Sequence, residues 1–317
     1  MKVSSSLMLL WSFLCVSSTD AQPATSCSDN MANFMPGAAD AQGRCMNWVK
    51  GNFYTYPDDF KDTSGVDILN VVDIYKCPTS KKRIIISNGV PDHTVKQGNG
   101  NIPCEIRWAI TLPLVTEKPE GEIQEIPIRG IIAMSTNGVP AFGPQEVGSD
   151  NAVDPTGPIQ DAQFWYGHAT MQKIWHLHNP YMGKETPDKD TLLGYALDGY
   201  PIYGPYPENS PDALDECNGI FINGQYQYHV LEIDAIDGTT TDYCKSGEPK
   251  EVNNWNYILG CYKGKTSETI VQPSDDFDIP TDCECESWSE NGECKNQPTS
   301  SPTKTGPATD SPVASPN

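Results

Sequence analysis

Two stretches, STNGVPAFGP at 135–144 and ALDGYPIYGP at 196–205, align without a gap, and no other feature constrains the fold as much. Each places a turn dipeptide, Asn137-Gly138 or Asp198-Gly199, after a short apolar run, GIIAMST or LLGYAL. A proline, an aromatic and Gly-Pro follow in both. A shorter echo, SNGVPDH at 87–93, follows RIIIS. Apolar runs of this length, closed by residues that accept positive backbone angles, read as strands ending in reverse turns. The pattern predicts three hairpins of one design with two-residue turns. Each proline is expected to open an edge strand, where a missing amide hydrogen is tolerated.

The same texture, β-rich runs separated by Gly, Pro, Asn and Asp, extends over residues 82–264. It predicts an all-β domain in which repeated hairpins form a disulfide-stabilised sandwich or barrel-like body. The repeat continues more loosely downstream: Trp175-His176-Leu177-His178 follows the first copy and Tyr226-Gln227-Tyr228-His229 the second, with Gln227 standing where the first has His176. Residues 22–81 form an irregular N-terminal segment with three cysteines, and its VDILNVVDIYKC fits either a strand or a single helix. Tyr and Trp are dense from 164 to 262, including Tyr195, Tyr200, Tyr203 and Tyr226. They read first as core and second as a platform for sugar rings.

Residues 1–21 combine an early lysine, an apolar run from Leu7 to Val16 and small residues before Gln22. That is the layout of a secretory signal peptide, too short for a membrane span, and no later run is apolar enough to cross a bilayer. Export fits the eleven cysteines, of which Cys15 leaves with the signal and an even number remains for an oxidising compartment to join. Residues 265–296 place three cysteines in CECESWSENGEC among few apolar side chains, the profile of a small cross-linked appendix. Residues 297–317, QPTSSPTKTGPATDSPVASPN, are too polar to bury a core and read as a disordered Pro/Ser/Thr-rich tail. The expected location is extracellular, free or associated with a cell wall. A net charge of −21 excludes nucleic acid as a partner and leaves an extracellular ligand or a cell-wall component. Calcium on the acidic loops is a weaker expectation, since the EF-hand spacing is missing.

Three of the five histidines crowd into FWYGHATMQKIWHLHNP at 164–180. On a strand, residues two apart share a face, so His176 and His178 present both imidazoles on one side. Two neutral nitrogens from one strand suit copper or zinc, provided a neighbouring strand adds a third. The candidates are His168, where the preceding glycine implies a tight turn or a close backbone approach; His229, the repeat partner of His178; and His93. The motifs of zinc proteases and of serine nucleophile elbows are absent. Asp212, Asp215 and Glu216 in SPDALDECNG fit loop capping better than calcium or acid–base work, and Asp92 is placed to orient His93.

SNGVPDH (87–93), GYALDGYPIYGPY (194–206), LDECNG (214–219), YQYH (226–229) and ILGCYKG (258–264) together resemble the YHYH-domain proteins. The resemblance implies a secreted or surface protein with no assigned reaction. It carries the name motif onto Tyr226, Gln227, Tyr228 and His229, with Gln227 departing from the histidine of the pattern, and it implies a disulfide between Cys217 and Cys261. Three readings follow: a secreted binder of copper or zinc through His176 and His178 with His229 or His168; a hydrolase or hydratase using a zinc-bound water at the same histidines; and a structural or adhesive extracellular module. The enzyme reading requires an open coordination position with Asp92, Asp212 or Asp215 in reach. The structural reading requires histidine nitrogens turned to backbone carbonyls.

Overall fold

The computed structural model describes residues 69–92, 105, 108–115, 119, 122–127, 130–144, 152, 167–170, 174–207, 214–232, 257–266, 269–273 and 277–288. The signal peptide expected at 1–21, most of the 22–81 segment, the 297–317 stretch, His93 and Asp212 lie outside them. Among the described residues there are strands and no helix, and therefore no helix long and apolar enough to cross a membrane. The strands are β1 (Val72–Cys77), β2 (Lys82–Ser87), β3 (Trp108–Pro113), β4 (Gln124–Glu125), β5 (Ile131–Ser135), β6 (Pro140–Phe142), β7 (Gly167–Ala169) and β8 (Trp175–Leu177). They continue with β9 (Leu192–Ala196), β10 (Pro201–Tyr203), β11 (Gly219–Ile222), β12 (Gln225–His229), β13 (Cys261–Tyr262), β14 (Ile270–Pro273) and β15 (Glu284–Trp288).

A five-stranded sheet runs β14-β3-β2-β1-β15 and an eight-stranded sheet β11-β12-β10-β9-β5-β6-β8-β7; neither closes into a barrel. The sandwich alternative is the one the chain adopts. On the five-stranded sheet Ile74, Ile85 and Ile110 face the eight-stranded one and share a core with Met134, Ala141, Leu193 and Ile202. Strand alternation turns Tyr75, Cys77 and Ile84 the other way, into a small second core with Ile279 and Cys283. The disulfide Cys77–Cys283 closes it. Cys285 is disulfide-bonded as well, so the Cys-x-Cys pair serves two separate bridges. The β5 run IIAMS is buried at every position. Its second face is covered by the small β4–β13 sheet, from which the Tyr262 hydroxyl donates to the Ile132 carbonyl.

VDILNVVDIYKC contains a strand, because Val72–Cys77 pairs antiparallel with β2 along its whole length. That pairing spans the expected boundary at 81/82, and β14 and β15, from the 265–296 stretch, flank the same sheet.

Two of the three predicted hairpins form, β5–β6 and β9–β10. Their turns are longer than two residues: Ser135 and Ala196 donate their amides to the carbonyls of Val139 and Tyr200. Gly138 (φ 78°) and Gly199 (φ 90°) take positive angles, whereas Asn137 and Asp198 do not. A three-residue loop ending in a left-handed glycine meets the strand twist without forcing a β-carbon into that region. At the third site Gly89 is also left-handed, but β2 finds its partner β3 only at Trp108, so SNGVPDH is not a tight hairpin. Pro140 and Pro201 open β6 and β10, which are interior strands rather than edges. Each lies beyond the stretch paired to the parallel neighbour, where the missing amide costs no ladder bond.

The pairing pattern occurs twice. β6 runs parallel to β8, which pairs antiparallel with β7. β10 runs parallel to β12, which pairs antiparallel with β11. The two sets meet along β5 and β9, where Ala133↔Ala196 and Ser135↔Gly194 lie symmetrically about Met134↔Tyr195. This seam sends β8 and β12 to opposite flanks of the sheet.

Candidate metal centre

β7 and β8 form one flank of the eight-stranded sheet, with His168 directly opposite His176. His178 follows Leu177, the last residue of β8. Cross-strand partners share a face, and so do residues two apart, so local pairing alone delivers the three imidazoles to one side. Their ring centroids lie 4.3, 5.0 and 4.8 Å apart. His168 is 4% exposed and His176 and His178 are 2% exposed each. Among the described residues this is the one cluster of three or more His, Cys, Asp or Glu side chains able to hold an ion, with all three ligating atoms within 4.8 Å of one another.

Glycine at 167 is a steric requirement of the site. A β-carbon there falls 1.6 Å from the His176 carbonyl oxygen, so only glycine lets β7 press against β8. The sequence marked this position as a tight turn or a close backbone approach, and it is the second. Phe142, the aromatic of STNGVPAFGP, stacks on the His176 ring at 4.0 Å and 25° and meets His178 edge-on. Sequence reasoning gave Phe142 no role at the site, although its place in the aligned stretch was visible.

The electrostatics favour a neutral imidazole at His176. Burial first, and then the neighbouring His168 and His178, hold the pKa of His176 well below its ordinary value. His176 Nδ1 lies 3.3 Å from the Ile174 carbonyl, and donation of its proton there leaves Nε2 with a lone pair. That Nε2 lies 3.0 Å from Nε2 of His178. Two nitrogens each ~2.0–2.1 Å from one zinc ion stand roughly 3.0–3.4 Å apart, so this pair already has a ligand spacing. Seating an ion requires His168 to draw in to the same range.

His229 is not part of this cluster. It sits on β12, with β10, β9, β5 and β6 between it and β8, roughly 24 Å away at ordinary strand spacing. The expectation that it meets His176 and His178 across a strand pair is corrected by the β5–β9 seam. His229 donates Nδ1–H to the Gly204 carbonyl at 2.8 Å and takes the Gln227 amide on Nε2 at 2.8 Å. Tyr203 and Tyr206 pack on its ring.

Asp215 accepts the amides of Cys217 and Gly219 and the Tyr226 hydroxyl, which is loop capping. Asp92 accepts from the Asn137 side chain and stands 3.9 Å from Lys184. A disulfide joins Cys217 to Cys261, tying the start of β11 to β13.

Residues 109–213 match the family model described as YHYH protein. The matched range contains all three clustered histidines and ends before β11 and β12, so Tyr226–His229 falls beyond it. Neither a curated protein nor a solved structure matches the chain.

Proposed function

We propose that this chain, with its YHYH match over residues 109–213, binds one transition-metal ion, copper or zinc, through His168, His176 and His178, without catalysis. The observation that carries the reading is the convergence of three buried imidazoles from two paired strands, with two Nε2 atoms at ligand spacing. Neutral imidazole suits both metals, and among the described residues the cluster contains no thiolate or carboxylate, which leaves the choice between them to loading experiments. His229 fits the structural reading instead, with its Nδ1 turned to a backbone carbonyl. The engagement of Asp92 and Asp215 in turns and ion pairs favours binding over hydrolysis. The disulfides and the lack of a membrane-crossing helix among the described residues agree with an extracellular location.

Elemental analysis of the disulfide-bonded protein, loaded separately with zinc and copper, tests the reading. The His176→Ala/His178→Ala variant is expected to lose about one equivalent that wild type and His229→Ala retain, by the logic of ligand count. Equal, negligible metal in wild type and variant overturns the proposal.

A further inference from the structure

A second site lies away from the histidines. A cleft of about 210 Å³ opens between the two large sheets, lined by Lys76, Arg83, Tyr195, Tyr203, Gln225 and Gln227 among others. None of the clustered histidines lines it.

The cations are what make the cleft unusual in a chain of net charge −21. Lys76 and Arg83 stand directly opposite each other in the β1–β2 ladder, and like charges in that position destabilise a sheet. Arg83 is held from two sides. Its Nε donates to Glu286 at 3.2 Å, and its guanidinium carbon lies 3.8 Å above the centre of the Tyr195 ring. With only 8% of the residue exposed, the guanidinium plane is set before any ligand arrives. Its terminal nitrogens have no hydrogen-bond partner among the described residues. Lys76 forms no ion pair there either, although the exposed Glu284 is its neighbour on β15. One forked donor and one ammonium thus line a cleft whose described lining includes no carboxylate; Glu286 holds the guanidinium through Nε, and Glu284 lies opposite Lys76 on β15.

A fixed guanidinium fork matches a carboxylate bidentately. Tyrosine rings offer faces on which a sugar ring stacks, and the side-chain amides of Gln225 and Gln227 offer donors and acceptors for hydroxyls. The volume is below the ~300–1,000 Å³ of sites for drug-sized ligands, and suits one six-membered ring. We infer that this cleft binds a single carboxylated sugar, a hexuronate, either free or as the terminal unit of an anionic polysaccharide.

Calorimetric titration of the full disulfide-bonded chain with sodium galacturonate, sodium glucuronate, galactose and trigalacturonate tests this. At least one uronate is expected to bind and galactose is not. Arg83→Lys, which keeps charge but removes the fork, is expected to weaken uronate binding about tenfold or more, and Lys76→Gln about fivefold. Near-UV circular dichroism checks that both variants remain folded; Lys76 is the more exposed position and gives the cleaner comparison. Trigalacturonate binding at least as tightly as the monomer identifies a polysaccharide end as the source, and weaker binding identifies the free sugar acid. No uronate binding to folded wild type, equal binding of galactose, or unchanged uronate affinity in both folded variants overturns the inference.

Discussion

The β5–β8 and β9–β12 sets pair their strands in the same order, yet they have opposite chemistry at matching positions. Where the first has His168 opposite His176, the second has Ile220 opposite Gln227. Where His178 turns its Nε2 to another imidazole at 3.0 Å, His229 turns its own to the Gln227 amide at 2.8 Å. The same backbone thus brings imidazoles together in one set and pairs an imidazole with a side-chain amide in the other. A scaffold that places side chains two apart on one face creates the opportunity for a site, and the side chains decide whether it is used.

The largest expected effect comes from making the first set resemble the second. In His176→Gln the amide should donate to His178 as Gln227 does to His229. Bound metal should then fall from about one equivalent to none, while the metal-free protein changes in stability by about 1 kcal/mol or less. Metal content equal to wild type would remove His176 from the site.

Next in size is the bridge that belongs to the second set. Cys217 and Cys261 are separated by 44 residues, and the loop-closure entropy their bond removes from the unfolded chain is about 4 kcal/mol. Urea unfolding of Cys217→Ala/Cys261→Ala should show a loss of that order with metal binding intact. A variant that loses metal along with stability would show that the two sets are not independent.

The smallest concerns the two turns. Asn137 in the first corresponds to Asp198 in the second, and each caps its loop through the amide two residues on. Asp198 is fully buried, and burial raises its pKa from 3.8 to about 6 against the pull of Tyr228 and the Gly264 amide. A carboxyl whose folded pKa is raised binds its proton more tightly when folded. Its contribution is therefore fully present below the unfolded pKa and lost as pH rises through about 6. From acid to neutral pH that loss is about 3 kcal/mol. Asp198→Asn should flatten this part of the stability curve between pH 4 and 7, read by denaturant unfolding at each pH, at the cost of about 1–3 kcal/mol from the altered hydrogen bonds to Tyr228 and Gly264. An unchanged pH slope would show that Asp198 does not set it.

Much of this was legible from local patterns. The strand runs, the left-handed Gly138 and Gly199, the close approach at Gly167 and the shared face of His176 and His178 all depend on residues near one another in the chain. The turn length was misread because Asn-Gly and Asp-Gly also suit a three-residue loop, in which only the glycine needs a positive angle. The prolines were misplaced because a strand's position in a sheet is set by partners far away in sequence. The cationic cleft had no local signal, since Lys76 and Arg83 meet Tyr195 and Gln227 only when the two sheets pack.

The sequence by itself determined the all-β class, the two hairpins and a histidine pair on one face, because backbone alternation and turn chemistry act over a few residues. The tertiary structure decided that His168 joins that pair and His229 does not. That choice rests on the antiparallel β5–β9 seam, which sends β8 and β12 to opposite flanks of the sheet. Such a seam forms through hydrogen bonds and burial between distant segments, and no short-range pattern encodes it.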